Sequence, residues 1–215
     1  MKLFLDLGAH EGQSLIAFLN WKRDSAREYD IYSFEANIEA LTNLWNTRSK
    51  LIAYGLKINI IPCLVGCQGM LASFDGWQLS EFGKDQYEKR RLCPVFDISF
   101  WLSTIIEKYS EIVVKMDIEG AEYFLIPQMA SFGILDKIDE LFVEIHGPKR
   151  GFSRADTQRL INLVYRYGVT PCVWEAQSGR SKYDLNSLRA VIIPDQIASD
   201  KSIAFYDHYY ELKAL

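Results

Sequence analysis

The sequence offers little that would tie it to a metal, a membrane or a nucleic acid. Its four cysteines, Cys63, Cys67, Cys93 and Cys172, form no C-x-x-C pair, and the C-x3-C of Cys63 and Cys67 has no matching second pair. Zinc-ribbon and redox-motif readings therefore lack their donors, and the thiols read as core or incidental groups. No apolar run reaches the roughly 18 residues of a membrane span. No charged leader with a long apolar region precedes the first strand, so the expected location is cytoplasmic. The net charge of −4 announces no strongly basic face, which argues against nucleic acid as a partner. There is no internal repeat, no low-complexity segment and no G-x-G-x-x-G.

What is present is an ordinary globular composition: 215 residues, 49% hydrophobic and 24% charged. One domain, residues 1–215, is expected, long enough to bury a core without disulfide or metal. Leu3 to Ser14 organises the rest. The apolar run Leu3 to Leu7 predicts a buried strand, Gly8 and Gly12 stand in a loop, and Leu15, Ile16, Phe18 and Leu19 predict a helix from Ser14. Strand, glycine-bearing turn and helix build a nucleotide-sized crevice in an open α/β sheet. Asp6, at the strand's end, argues against a pyrophosphate above it and suits a cationic or amino-bearing ligand.

Further along, Asp30–Glu35 predicts a second strand, and Asn37 an N-cap for a helix with Ala40, Leu41, Leu44 and Trp45 on one face. Lys57–Val65 predicts a third strand, which gives the βαβαβ order of a parallel sheet. Residues 66–94 break the rhythm: Met70–Phe74 suits a short strand, and Gln78–Arg91 reads as an exposed insertion or lid. A helix over Ile98–Tyr109, a strand over Glu111–Asp117, a helix from Gly120 kinked or ended at Pro127, and a strand over Asp139–His146 follow. Arg154–Tyr167 predicts an amphipathic helix. Val169–Glu175 and Leu188–Pro194 predict two strands whose short link makes them antiparallel, and the aromatic tail 197–215 is expected to pack back on the body.

Four acids, Asp6, Glu35, Asp117 and Glu144, fall at the carboxyl ends of predicted strands, where open parallel sheets bind ligands. Strand ends are also exposed, and turns favour acids, so each alone means little. Glu35 closes the second strand, where an acid can accept from both ribose hydroxyls. His10 occupies the place of a dinucleotide fingerprint's second glycine, which favours a nucleoside without pyrophosphate.

In order along the chain come Leu5-Asp6-Leu7-Gly8-Ala9-His10-Glu11-Gly12, Phe34-Glu35-Ala36-Asn37, Lys115-Met116-Asp117-Ile118-Glu119-Gly120-Ala121-Glu122 and Val143-Glu144-Ile145-His146. Together, over residues 3 to 146, they resemble the FkbM family of S-adenosylmethionine-dependent methyltransferases; the Lys-x-Asp-x-Glu-Gly-Ala-Glu block is the most specific. The resemblance implies a Rossmann-like class I methyltransferase fold: a mostly parallel seven-stranded twisted sheet with an antiparallel last strand and helices on both faces. It implies S-adenosylmethionine as cofactor, with Asp6, Gly8, Ala9, His10, Gly12 and Ser14 around its methionine and ribose. Glu35 would hold the ribose hydroxyls, Ala36 and Asn37 would lie beside the adenine, and Leu64, Val65 or Gly66 would form the adenine wall. Asp117 would sit near the sulfonium. Phe96-Asp97-Ile98-Ser99 departs from the family's paired acids, and no role is carried to it.

Methyl transfer to an alcohol needs positioning and removal of a proton. His146, which titrates near neutrality, is the leading base candidate and Asp117 its competitor. Lys115, two residues before Asp117, shares its face and would balance the carboxylates. Glu119 and Glu122 flank a helix N-terminus, where the helix dipole favours acids, so a structural role and a ligand role both stand open. Asp117, Glu144 and His146 converge in principle, but no ligand spacing demands a metal, and none is expected. The expected reaction is O-methylation of a small molecule or glycan hydroxyl. Alternatives are methylation of an RNA ribose 2′-hydroxyl, a NAD-dependent oxidoreductase, and a non-catalytic module that binds S-adenosylmethionine.

Overall fold

The computed structural model describes residues 1–67, 69–74, 91–146, 150–169 and 171–173. The apolar runs become a parallel sheet. In chain order the elements are β1 (Lys2–Leu7), α1 (Gln13–Lys22), β2 (Tyr29–Phe34), α2 (Ile38–Ile52), β3 (Lys57–Ile61), β4 (Leu64–Gly66), β5 (Met70–Phe74), β6 (Arg91–Asp97), α3 (Ile98–Ile105), β7 (Glu111–Met116), α4 (Glu122–Ser131), β8 (Glu140–Val143), α5 (Arg154–Arg166) and β9 (Pro171–Val173). Six strands form one sheet in the order β3-β2-β1-β7-β8-β9, and every pairing in it is parallel. The order turns back between β1 and β7, which makes the carboxyl ends of β1, β2 and β7 the switch point where such sheets bind ligands.

Side chains alternate across the strands. Leu3, Leu5 and Leu7 of β1 face the cluster built with α3, α4 and α5, while Phe4 faces Leu15, Phe18, Leu44 and Leu51 of α1 and α2. The sheet is thus covered on both faces, as continuous apolar strands require. Phe4 stacks on Phe18 with centroids 4.0 Å apart, and full burial of such a ring is worth about 1.5–3 kcal/mol. Asn37 caps α2 by accepting from the Glu39 amide.

Several elements differ from the sequence reading. The third strand splits at Pro62-Cys63 into β3 and β4: Pro62 has no amide to donate, and Cys63 N turns back to Ile61 O. β4 then leaves the main sheet and pairs with β6 in a second, three-stranded sheet, with β5 antiparallel on the other side. Strand β6 has no counterpart in the sequence reading, because Arg91, Pro94 and Asp97 interrupt its apolar pattern; Phe96 nonetheless packs on Phe34 and Trp101. α3 ends at Ile105, and a short 3-10 turn replaces its last residues. Pro127 lies within α4, which continues to Ser131 because Leu125, Ile126 and Met129 anchor it on both sides of the proline. β8 stops at Val143, so Glu144 and His146 lie beyond the strand. The expected Leu188–Pro194 strand, most of the Gln78–Arg91 insertion, the 176–187 turn and the tail lie outside the described residues.

Candidate active site

The site begins with the register of two strands. Asp6 on β1 stands directly opposite Lys115 on β7. Both side chains are almost fully buried, and Lys115 Nζ lies 3.6 Å from Asp6 Oδ1. Two residues on, Asp117 shares the Lys115 face and brings Oδ2 to 3.5 Å from the same ammonium. Lys115 also donates to Gly8 O at 2.5 Å, which ties the glycine loop to β7. Burial alone would lower the Lys115 pKa, but Asp117, Asp6, Glu144 and Glu35 outweigh it and hold the ammonium above its ordinary value. Burial pushes the Asp6 carboxyl up, against the pull of Lys115 and of Ser14, whose hydroxyl donates to Oδ2 at 2.5 Å. Ser14 therefore serves Asp6.

The loop after β1 is fixed from β2. Gly8 N and Ala9 N both donate to Phe34 O. Glu35 Oε2 accepts from His10 N at 2.7 Å, and Oε1 accepts from Ala36 N at 2.9 Å and Asn37 N at 2.7 Å. A carboxylate has about four acceptor positions, so Glu35 keeps one, on Oε2, after bracing both loops. Gly8, at φ +77°, is where the backbones come closest: a Cβ there would lie 1.9 Å from Asp117 O. Leu64 and Val65 lie on β4, and Val65 is buried in the cluster that contains Phe34 and Leu7.

The second half of the site gathers around His146. Glu122, the first residue of α4, is fully buried; its Oε2 accepts from Gly120 N and its Oε1 from His146 N at 2.7 Å. The same Oε1 faces His146 Nδ1 at 3.3 Å. On the other edge of the ring, Nε2 faces Glu144 at 3.5 Å and Asp117 and Glu119 at 3.7 Å each. Burial would lower the His146 pKa; the carboxylates of Glu122, Glu144 and Glu119 more than reverse that and raise it to about 10. Burial likewise raises Glu144, with His146 opposing. Glu119, at φ 56°, is turned back over the site and pairs with Arg150.

The structure thus brings Asp6, Lys115, Asp117, Glu144 and His146 together in one chain of charges, with Glu35 close enough to influence Asp6 and Lys115. Asn37 instead spends its side chain on the α2 cap. Arg150 is absent from the sequence reading, since the chain around Gly151 has no periodicity that would aim it. Glu122 was legible as a helix-terminus acid or a ligand contact, and the structure gives it the backing of His146 instead.

An open parallel α/β sheet with helices on both faces, and with acids and glycines gathered at its carboxyl ends, is the Rossmann-like layout. Residues 6–169 match the family model of the methyltransferase FkbM domain, and the chain belongs to the FkbM methyltransferase family. No curated protein matches it. A crystal structure of methyltransferase FkbM from Methylobacillus flagellatus KT, at 2.20 Å resolution, is similar at 19% identity over 61% of this chain, with a TM-score of 0.41. The similarity spans 29% of that protein's chain.

The site suits a cationic ligand. Asp6 Oδ1 is buried without a hydrogen bond among the described residues, and carboxylates outnumber cations around it. Among the described residues no helix is long and apolar enough to cross a membrane.

Proposed function

We propose that this protein is an S-adenosylmethionine-dependent O-methyltransferase acting on a hydroxyl of a small molecule or glycan in the cytoplasm. The observation that carries the proposal is the alignment of Asp6, Lys115 and Asp117 beneath the Gly8 loop, in a chain of the FkbM family. The donor would supply a methyl group on a sulfonium. Asp6, Gly8, Ala9, His10, Gly12 and Ser14 would form or support its methionine and ribose side. Glu35 Oε2 has one acceptor position for a ribose hydroxyl. The loop amides of Ala36 and Asn37, with Leu64 and Val65, would border the adenine. Asp117 would face the sulfonium. We further propose that the sheet completes to seven strands with an antiparallel last strand from residues 188–194, and that residues 1–215 form one domain whose 66–94 segment borders the acceptor.

A hydroxyl acceptor must lose its proton as its oxygen attacks. Carboxylates raise the His146 pKa to about 10, which makes it a poor proton acceptor at neutral pH. Proton acceptance therefore falls to the carboxylates beside it, Asp117 and Glu144, with His146 and Lys115 holding and balancing them.

Calorimetry with S-adenosylmethionine and with NAD tests the donor. Saturable binding of the first alone is expected; binding of NAD alone would overturn the reading. His146→Ala and Asp117→Asn should each slow methyl transfer to a hydroxyl acceptor by about 100-fold or more. Full activity in both would remove this cluster from the chemistry.

A further inference from the structure

We propose that Asp117, Glu119 and His146 form a binding site for a hard divalent cation of the Mn2+ or Mg2+ type. One donor atom from each of the three lies within 4.8 Å of the others. They come from the turn after β7 and the end of the chain leaving β8, so only the parallel pairing of those strands brings them together.

Two independent features point to an ion. The first is His146 Nε2. Its side chain is 94% buried, yet the three carboxylates around this nitrogen stop at 3.5–3.7 Å. A charge-assisted N–H···O bond would close to about 2.7–2.9 Å. Ligands held about 2.1–2.2 Å from a shared ion, by contrast, stand about 3–3.7 Å apart. The second is charge. Five carboxylates, those of Asp6, Asp117, Glu119, Glu122 and Glu144, meet two fixed cations, Lys115 and Arg150, and an ion on His146 Nε2 would take the place of a ring proton. Carboxylates gathered this closely repel one another, and a divalent ion offsets that repulsion.

The surroundings fit the role. Glu122 holds His146 from behind, through the backbone amide and at Nδ1, the position from which carboxylates orient metal-bound imidazoles. Asp117 divides its oxygens: Oδ2 faces Lys115 and Oδ1 faces the imidazole. Arg150 pairs with Glu119 and fixes its position. Two carboxylates and one imidazole, with no thiolate, favour an oxygen-preferring ion that retains open positions. If the methyl-transfer reading holds, on which this role rests, a hydroxyl oxygen on the ion would lose its proton more readily, and Glu144 is the neighbouring carboxylate to receive it.

The test is Mn2+ titration of the chelator-treated protein, residues 1–215, followed by the loss of the free-ion electron paramagnetic resonance signal. Wild type should bind one Mn2+ per chain, and Glu119→Gln and His146→Gln should each weaken that binding by about 10-fold or more. Circular dichroism verifies that each variant is folded, and Glu119, partly exposed, gives the variant least exposed to a folding defect. No binding up to about 1 mM Mn2+, or binding unchanged in a folded Glu119→Gln, would overturn the site. S-adenosylmethionine calorimetry on the same metal-free samples separates the two readings. Donor binding without Mn2+ binding overturns the ion site and leaves methyl transfer standing. Mn2+ binding without donor binding supports the site and counts against the methyl-transfer reading.

Discussion

A single carboxylate oxygen, Oε1 of Glu122, accepts from the backbone amide of His146 at 2.7 Å and faces the imidazole of the same residue at 3.3 Å. Twenty-four residues separate the two, and neither is accessible to water that could replace the other. Removing the carboxylate would strand two buried amides, those of Gly120 and His146. Glu122→Ala should therefore cost about 2–5 kcal/mol in denaturant unfolding. Glu122→Gln keeps one acceptor oxygen and should cost about half as much. Equal stability of Glu122→Ala and wild type would refute the role.

Lys115 is the only ammonium placed between Asp6 and Asp117 among the described residues. Lys115→Met leaves both acids without it and frees Gly8 O, and breaking such a buried pair costs about 3–5 kcal/mol. Adding Asp6→Asn should recover part of the loss, since the uncompensated charge disappears. A double-mutant cycle from thermal or chemical unfolding measures the coupling, which should exceed about 1 kcal/mol.

Gly8→Ala tests the closeness of β1's loop to β7. The added methyl would collide with Asp117 O, which is backbone and can only move with the strand end, and φ +77° is strained for alanine. Stability should fall by about 2–4 kcal/mol, and S-adenosylmethionine affinity should drop with it. Normal binding calorimetry for this variant would mean that the loop does not touch the donor.

Glu35→Ala removes an acceptor from three loop amides as well as a ribose partner. We expect donor binding weaker by about 1–3 kcal/mol in calorimetry, accompanied by faster hydrogen exchange at the His10, Ala36 and Asn37 amides. Exchange without an affinity change would assign Glu35 to bracing alone.

Acid sensitivity should centre on Glu111, away from the site. Burial would raise its pKa, but Tyr29, Lys2 and Lys22 all donate to it and bring the carboxyl down to about 2, from an ordinary 4.5. A depressed carboxyl contributes stability that is present above the unfolded value and is lost as pH falls through the folded one. Wild type should exceed Glu111→Gln by about 1–2 kcal/mol at pH 6, and the difference should shrink as pH falls from about 4.5 towards 2. A difference that is constant with pH would exclude the carboxylate's charge as its source.

Much of the fold was legible because burial imposes pattern. Apart from Asp6 and Lys115, runs such as Leu3–Leu7 and Ile112–Met116 are apolar on successive residues because both faces of their sheet are covered, and Asn37 announced a cap it makes. The acids at strand ends were legible as a set, since every second residue along a strand shares a face. β6 and the split at Pro62 were not legible: their pairing depends on a second sheet whose partners lie far apart in sequence. The same holds for Arg150, which reaches Glu119 only because the chain returns past α4.

By itself the sequence determined the class of sheet, its helices on both faces and the four motifs that place the chain in its family, because periodicity and short motifs are local properties. Only the tertiary structure decided what the charges do. Asp6 and Lys115 are 109 residues apart and meet through strand register. Glu35, expected to serve a ligand alone, spends most of its acceptor capacity on backbone amides. His146, readable as a neutral base, has its pKa raised to about 10 because Asp117, Glu119 and Glu122 from another segment join Glu144 around it, and electrostatics depends on distance in space, which local sequence does not encode.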